Sequence, residues 1–315
     1  MSIANPYLHG SDGLENLNLK RWAAVASLSV ALVLIVTKLF AFLMTDSVSL
    51  LSSLMDSSFD AMASLVTMLS IIHAATPADE EHRFGHGKLE ALSAMGQGVF
   101  IFGSGIFLIF ESVRRFITPI KIHEPTVGIS VMIFSIVLTA ALIAFQVYVI
   151  KKTKSVAISA DYLHYKGDLL MNLGVFGALV LSYYSKWPYF DPLFASLIAL
   201  SLIWGAYSVT RESFDILMDK EISNEDRDKI MQLVKAHSKV VAVHDLRTRS
   251  TGERIFIEFH MEVDGDLTLK RAHAITEEIE EILYEAFPQS EVLIHQEPAG
   301  RDHHRLDNIL PIKGN

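Results

Sequence analysis

Six long apolar runs, separated by charged or proline-containing breaks, dominate this 315-residue chain. A helix needs about 20 consecutive apolar residues to cross a hydrocarbon layer of about 30 Å. The runs at about 22–44, 47–74, 89–117, 126–150, 157–184 and 190–210 meet that length, so the sequence reads as an α-helical membrane protein with six transmembrane helices. Half of all residues are hydrophobic and only 20% are charged, which excludes disorder, collagen and coiled coil. Six spans put both termini on one side. Lys20, Arg21, Arg83, Lys88, Lys151, Lys152, Lys154 and Arg211 fall on that side, against Arg114, Arg115, Lys121 and Lys186 opposite. The excess of Lys and Arg predicts cytoplasmic termini. The first 19 residues are polar and the first apolar run is long enough to span, so no cleavable signal is expected.

The net charge of −9 is unevenly placed. Residues 1–211 hold 14 basic and 14 acidic side chains, whereas 212–315 hold 13 basic and 22 acidic ones. This predicts a six-helix membrane domain over 1–211, an acidic water-facing domain over 212–298 and a polar tail over 299–315. An acidic balance argues against nucleic acid as a partner, since nucleic acid recruits basic faces. Beyond Arg211 the apolar period changes to that of a soluble unit. A helix capped by Asn224 and running to about Ala236 precedes a strand Val240–Thr248, then a strand over 254–263 with Ile255, Ile257, Phe259, Met261 and Val263 on one face and Phe256, Glu258, His260 and Glu262 on the other. A helix over about 268–287 and a strand Glu291–His295 complete an α+β ferredoxin-like order, αββαβ.

The spans differ in chemistry. The first, fourth and sixth carry almost no ionisable residue in their middles and read as scaffold. The third is rich in glycine (Gly96, Gly98, Gly103, Gly105), which suits close helix packing in lipid. The second contains Asp56 and Asp60, the fifth His164 and Asp168, and the spacing of four puts each pair on one helix face. A charge in mid-bilayer costs roughly 2.5–3.5 kcal/mol on insertion scales, so such residues default to function. Three carboxylates would repel one another unless a cation or protons sat among them. With one imidazole they supply four ligands for a divalent metal, suiting Zn²⁺ and admitting Fe²⁺, Cd²⁺ or Mn²⁺. There is no cysteine, so thiolate sites and disulfides are excluded.

Between spans two and three, Asp79, His82 and His86 can wrap a metal in a short loop, with Gly85 and Gly87 supplying backbone freedom. The soluble unit holds His244, His260, His273, His295 and Glu297. His244 and His260 fall on neighbouring strands, and His295 and Glu297, two apart, on one side of the third. A carboxylate beside several imidazoles can be shared between two metals. His9, His123, His237, His303 and His304 have no partner pattern and read as surface residues, and His73 as interfacial.

The D-x-x-x-D of span two, the H-x-x-x-D of span five and the stretches Asp79–Glu90, Ala160–Asp168 and His244–Arg249 together resemble the cation diffusion facilitator family, over about residues 20–298. The resemblance implies a bacterial inner-membrane homodimer that exchanges divalent metal, Zn²⁺ first, for protons and is not an enzyme. By the same resemblance Asp56, Asp60, His164 and Asp168 match the transport site, and Asp79, His82 and His86 a loop site. His244, His260, His273 and His295 match a binuclear site at the cytoplasmic dimer interface. Lys88 and Asp219 match a charge interlock near the membrane surface, and Leu163 a hydrophobic gate. At Glu297 the chain departs from a family member that carries Asp at the matching position.

Rival functions fit less well. A proton-coupled carrier of organic cations does not call for His and Asp at metal-ligand spacing. An intramembrane metallohydrolase would need a string such as H-E-x-x-H, and none occurs. A non-transporting metal sensor would leave the intramembrane acids without a role.

Overall fold

The computed structural model describes residues 11–45, 48–117, 126–185, 189–252 and 254–300. His9, His123, His303, His304, Lys121, Lys186 and the tail beyond residue 300 lie outside them. The chain divides into two units, one spanning Glu15–Phe214 and a second that runs from Asp215.

The first unit contains long helices α1 (Ser11–Thr45), α2 (Val48–Ala74), α3 (Lys88–Ile117), α4 (Thr126–Thr153), α5 (Val156–Ser185) and α6 (Phe190–Leu217). All except α5 are long and apolar enough, among the described residues, to cross a membrane. Helix α5 carries Asp161, Lys166 and Asp168 in its first half. Expected spans and observed helices agree in order; α1 differs most, starting at Ser11 rather than near residue 22.

The glycines of α3 act where helices touch. A Cβ at Gly105 would lie 2.7 Å from the Ile203 side chain, and one at Gly98 would overlap the Thr210 hydroxyl, so α3 and α6 approach too closely for any larger residue at either point. At the start of α3, the buried Glu90 carboxylate accepts from Lys20 Nζ of α1 at 2.7 Å and from Ser155 Oγ, just before α5, at 2.6 Å. One charge pair with a hydroxyl thus ties three elements together, and removal of either charge would leave the other buried and uncompensated.

The second unit contains α7 (Asn224–Lys235), β1 (Ala242–Ser250), β2 (Ile255–Val263), α8 (Leu269–Ala286) and β3 (Ser290–Pro298). Its sheet runs β1-β2-β3, with β1 antiparallel and β3 parallel to β2. The cap of α7 is Ser223, one residue before the expected Asn224; its side chain accepts from the Asp226 N–H, and Glu225 and Asp226 complement the helix dipole. Ile257, Phe259 and Met261 of β2 bury against Ile275, Ile279 and Leu283 of α8 and Ile230 and Val234 of α7. Burying one such side chain stabilises by about 1.5–3 kcal/mol, so this face anchors the register of β2. The register shifts between His244 and Arg247, where Asp245 takes a positive φ of 53°. Bulges of this kind re-aim side chains beside functional sites.

Candidate metal centres

The α2 and α5 backbones bring the intramembrane acids together. His164 Nε2 lies 2.8 Å from Asp60 Oδ1 and 3.8 Å from Asp168 Oδ2. Ligand atoms of Asp60, His164 and Asp168 all fall within 4.8 Å of one another. They line a cavity of about 420 Å³ to which α1 to α6 all contribute. Asp56, expected as the fourth ligand, lines the same cavity, one turn before Asp60. Leu163, the expected gate, is 5% exposed and packs on Gly205 of α6, where a Cβ would lie 2.6 Å from it.

Two features around this triad escaped the sequence reading. Lys38 of α1, a helix expected to be scaffold, lines the cavity and donates to Ser57 Oγ at 2.7 Å and the Ser53 carbonyl at 3.1 Å. A lone lysine in an apolar run was the signal, by the same insertion cost that singled out the acids. Fully buried Asp161 accepts from Gln146 at 2.8 Å and Ser64 at 3.2 Å, and Ser64 also bonds the Tyr165 hydroxyl at 2.9 Å. This network fixes the rotation of α5 one turn before His164. Its members lie on different helices, so no local spacing announces it.

The loop after α2 holds a second group. Asp79 Oδ1 lies 3.4 Å from His82 Nδ1, and Oδ2 lies 3.3 Å from His86 Nε2. Gly85, at φ 79°, lets its N–H reach back to the His82 carbonyl at 2.9 Å and so turns both rings toward the carboxylate. The backbone N–H groups of His82 and Glu81 donate to Asp79 and hold its carboxyl below the usual carboxylate range. The Nε2 of His86 faces Asp79, while its Nδ1 is buried with no hydrogen bond.

In the second unit the register builds a row. His244 of β1 pairs with His260 of β2, which pairs with His295 of β3; ring centroids stand 5.2 and 4.7 Å apart. Glu297 closes the row: one oxygen lies 2.9 Å from His260 Nδ1 and 3.4 Å from His295 Nε2, the other 3.4 Å from His244 Nε2. Both nitrogens of buried His244 lack hydrogen bonds, so the donor set fits a metal rather than a self-satisfied core. Glu262 and Asp245, which the spacing did not single out, stand 3.5 and 3.6 Å from His244. His273 is apart from this row: it lies on α8, 65% exposed, 3.5 Å from Glu277. Asp219, at φ 54°, lies 3.7 Å from Arg249 of its own unit.

Residues 24–218 match the family model of the cation efflux transmembrane domain, and residues 222–299 that of the cation efflux protein cytoplasmic domain. The chain belongs to the cation efflux family. This cation efflux transporter is 40% identical over 276 residues to the cation-efflux pump FieF of Salmonella arizonae, covering 88% of this chain and 92% of that one. It is 42% identical over 276 residues to FieF of Shewanella oneidensis, covering 88% and 93%. Among solved structures, the metal-bound C-terminal domain of the CzcD transporter from Thermotoga maritima aligns at 30% identity over 26% of this transporter and all of that domain, with a TM-score of 0.25. The relatives are transporters, not enzymes.

Proposed function

We propose that this transporter exports divalent metal from the cytoplasm, Zn²⁺ first and Fe²⁺ or Cd²⁺ as further cargo, by exchange for protons. The observation that carries this reading is the convergence of Asp60, His164 and Asp168 within 4.8 Å in a cavity among membrane-spanning helices. Three carboxylates and one imidazole, with Asp56 as the fourth ligand, bind a divalent ion in their deprotonated forms. Metal capture therefore releases protons, and protonation expels metal. When the cavity faces the two sides of the membrane in turn, that competition couples outward metal movement to an inward proton gradient. Leu163 separates the two access routes in this scheme.

The remaining sites act on assembly. His244, His260, His295 and Glu297 of one protomer would hold cytoplasmic metal, with His273 completing a binuclear set across a homodimer interface. The metal would supply cross-linking charge there, stabilising the folded dimer by mass action. Asp79, His82 and His86 form a regulatory loop site, and Lys88 with Asp219 a charge interlock at the membrane surface. Both termini and the second unit are cytoplasmic, in a bacterial inner membrane. Zn²⁺ flux into proteoliposomes under an imposed pH gradient tests the reading: flux should follow the gradient and vanish in Asp60→Ala, and gradient-independent flux would contradict proton exchange.

A further inference from the structure

The transport cavity contains a cation of its own. Lys38 projects from α1 into the space lined by Asp56, Asp60, His164 and Asp168. Its ammonium is fixed to α2 by the Ser57 hydroxyl at 2.7 Å and the Ser53 carbonyl at 3.1 Å, atoms of residues that flank Asp56. Neither partner is charged, so these contacts hold the lysine in place without neutralising it. The charged groups whose fields reach it are Asp60, Asp168 and Asp56, the same three carboxylates assigned to the metal.

We infer that Lys38 is a specificity-determining residue: a tethered counter-cation that sets the charge of the transport cavity to match a divalent ion. Three carboxylates and one ammonium leave two negative charges, which one divalent metal balances and a monovalent ion does not. Without the ammonium the cavity would hold a divalent ion with one negative charge in excess. Binding would tighten, and release, which an exporter needs as much as capture, would slow. The ammonium cannot be a ligand, because it has no lone pair while protonated. Its action is through the field across the cavity they share.

This inference rests on the assignment of the transport site to the same cavity, and the experiment separates the two. Zn²⁺ flux is measured in proteoliposomes containing the full chain as wild type, Lys38→Gln, Lys38→Arg and Asp60→Ala. Lys38→Gln keeps a donor for Ser57 and Ser53 but removes the charge; the Zn²⁺ concentration for half-maximal flux should fall about tenfold, with a lower maximal rate. Lys38→Arg keeps the charge and should stay close to wild type. If Lys38→Gln does not fold, Lys38→Met is read in the same way. An unchanged or raised half-maximal concentration in the neutral variant, with Asp60→Ala inactive, overturns the role of Lys38 and leaves the site standing. Transport by Asp60→Ala would overturn the site assignment and this inference together.

Discussion

The intramembrane centre and the cytoplasmic row are built from different donor sets. The first gathers carboxylates of α2 and α5 around a single imidazole; the second lines up three imidazoles on three strands around Glu297, with Asp245 and Glu262 beside His244. A carboxylate-rich cavity accepts protons or hard cations readily and holds neither permanently. An imidazole row favours borderline metals such as Zn²⁺ and keeps them. The difference also appears in what supports each centre. Helices packed by small residues and joined by the Asp161 network can shift as bodies, whereas His244, His260 and His295 sit in a hydrogen-bonded sheet whose other face is a packed core. The first arrangement suits turnover, the second retention.

The sharpest way to break this contrast is Asp168→Ala. The loss of one of three clustered ligands should cost more than the roughly 10–100-fold typical of outer-shell changes, and Zn²⁺ flux should be undetectable while the cytoplasmic domain still retains metal. His260→Ala should do the reverse. Metal retained per full-length chain at the cytoplasmic site should fall about 10–100-fold and the domains of the proposed dimer should separate, seen by spin-label distances, with flux through the membrane site reduced much less. If both variants lose the same property, the two centres do not divide the work as described.

Glu297→Asp should have a smaller effect. Glu297 reaches His244, His260 and His295 at 2.9–3.4 Å, and a side chain shorter by one methylene cannot hold all three contacts without movement of the strands. A severalfold change in cytoplasmic metal affinity, measured by chelator competition, is expected, with no change in transport. The smallest effect concerns Glu278, which the His237 ring at 2.9 Å holds below the usual carboxylate range. A depressed carboxyl stabilises the fold at pH above its ordinary range and loses that contribution as pH falls through the lowered value. Nuclear magnetic resonance titration should find the Glu278 midpoint moved upward in His237→Ala, with only slightly earlier acid unfolding.

Much of the membrane site was legible because a helix converts a spacing of four into one face: Asp56 with Asp60 and His164 with Asp168 were paired by that rule alone. The strand alternation that put Ile257, Phe259 and Met261 on one face and His260 on the other was legible for the same kind of reason. Lys38 was legible only as a lone lysine in an apolar run; its partners, Ser53 and Ser57 of α2, depend on how close α1 lies, a distance no local pattern encodes. The approach of Asp245 and Glu262 to His244 was not legible, since it follows from a bulge in β1 and the pairing of β1 with β2. His273 stands away from the row because it belongs to α8, and only in the proposed homodimer would it join a metal site.

The central claim is that protons and metal compete for the carboxylates between α2 and α5. The most direct measurement is Zn²⁺ flux into proteoliposomes with and without a pH gradient, wild type beside Asp60→Ala. Flux that scales with the gradient and disappears in the variant is the predicted result. Gradient-dependent flux that persists in Asp60→Ala would contradict the account.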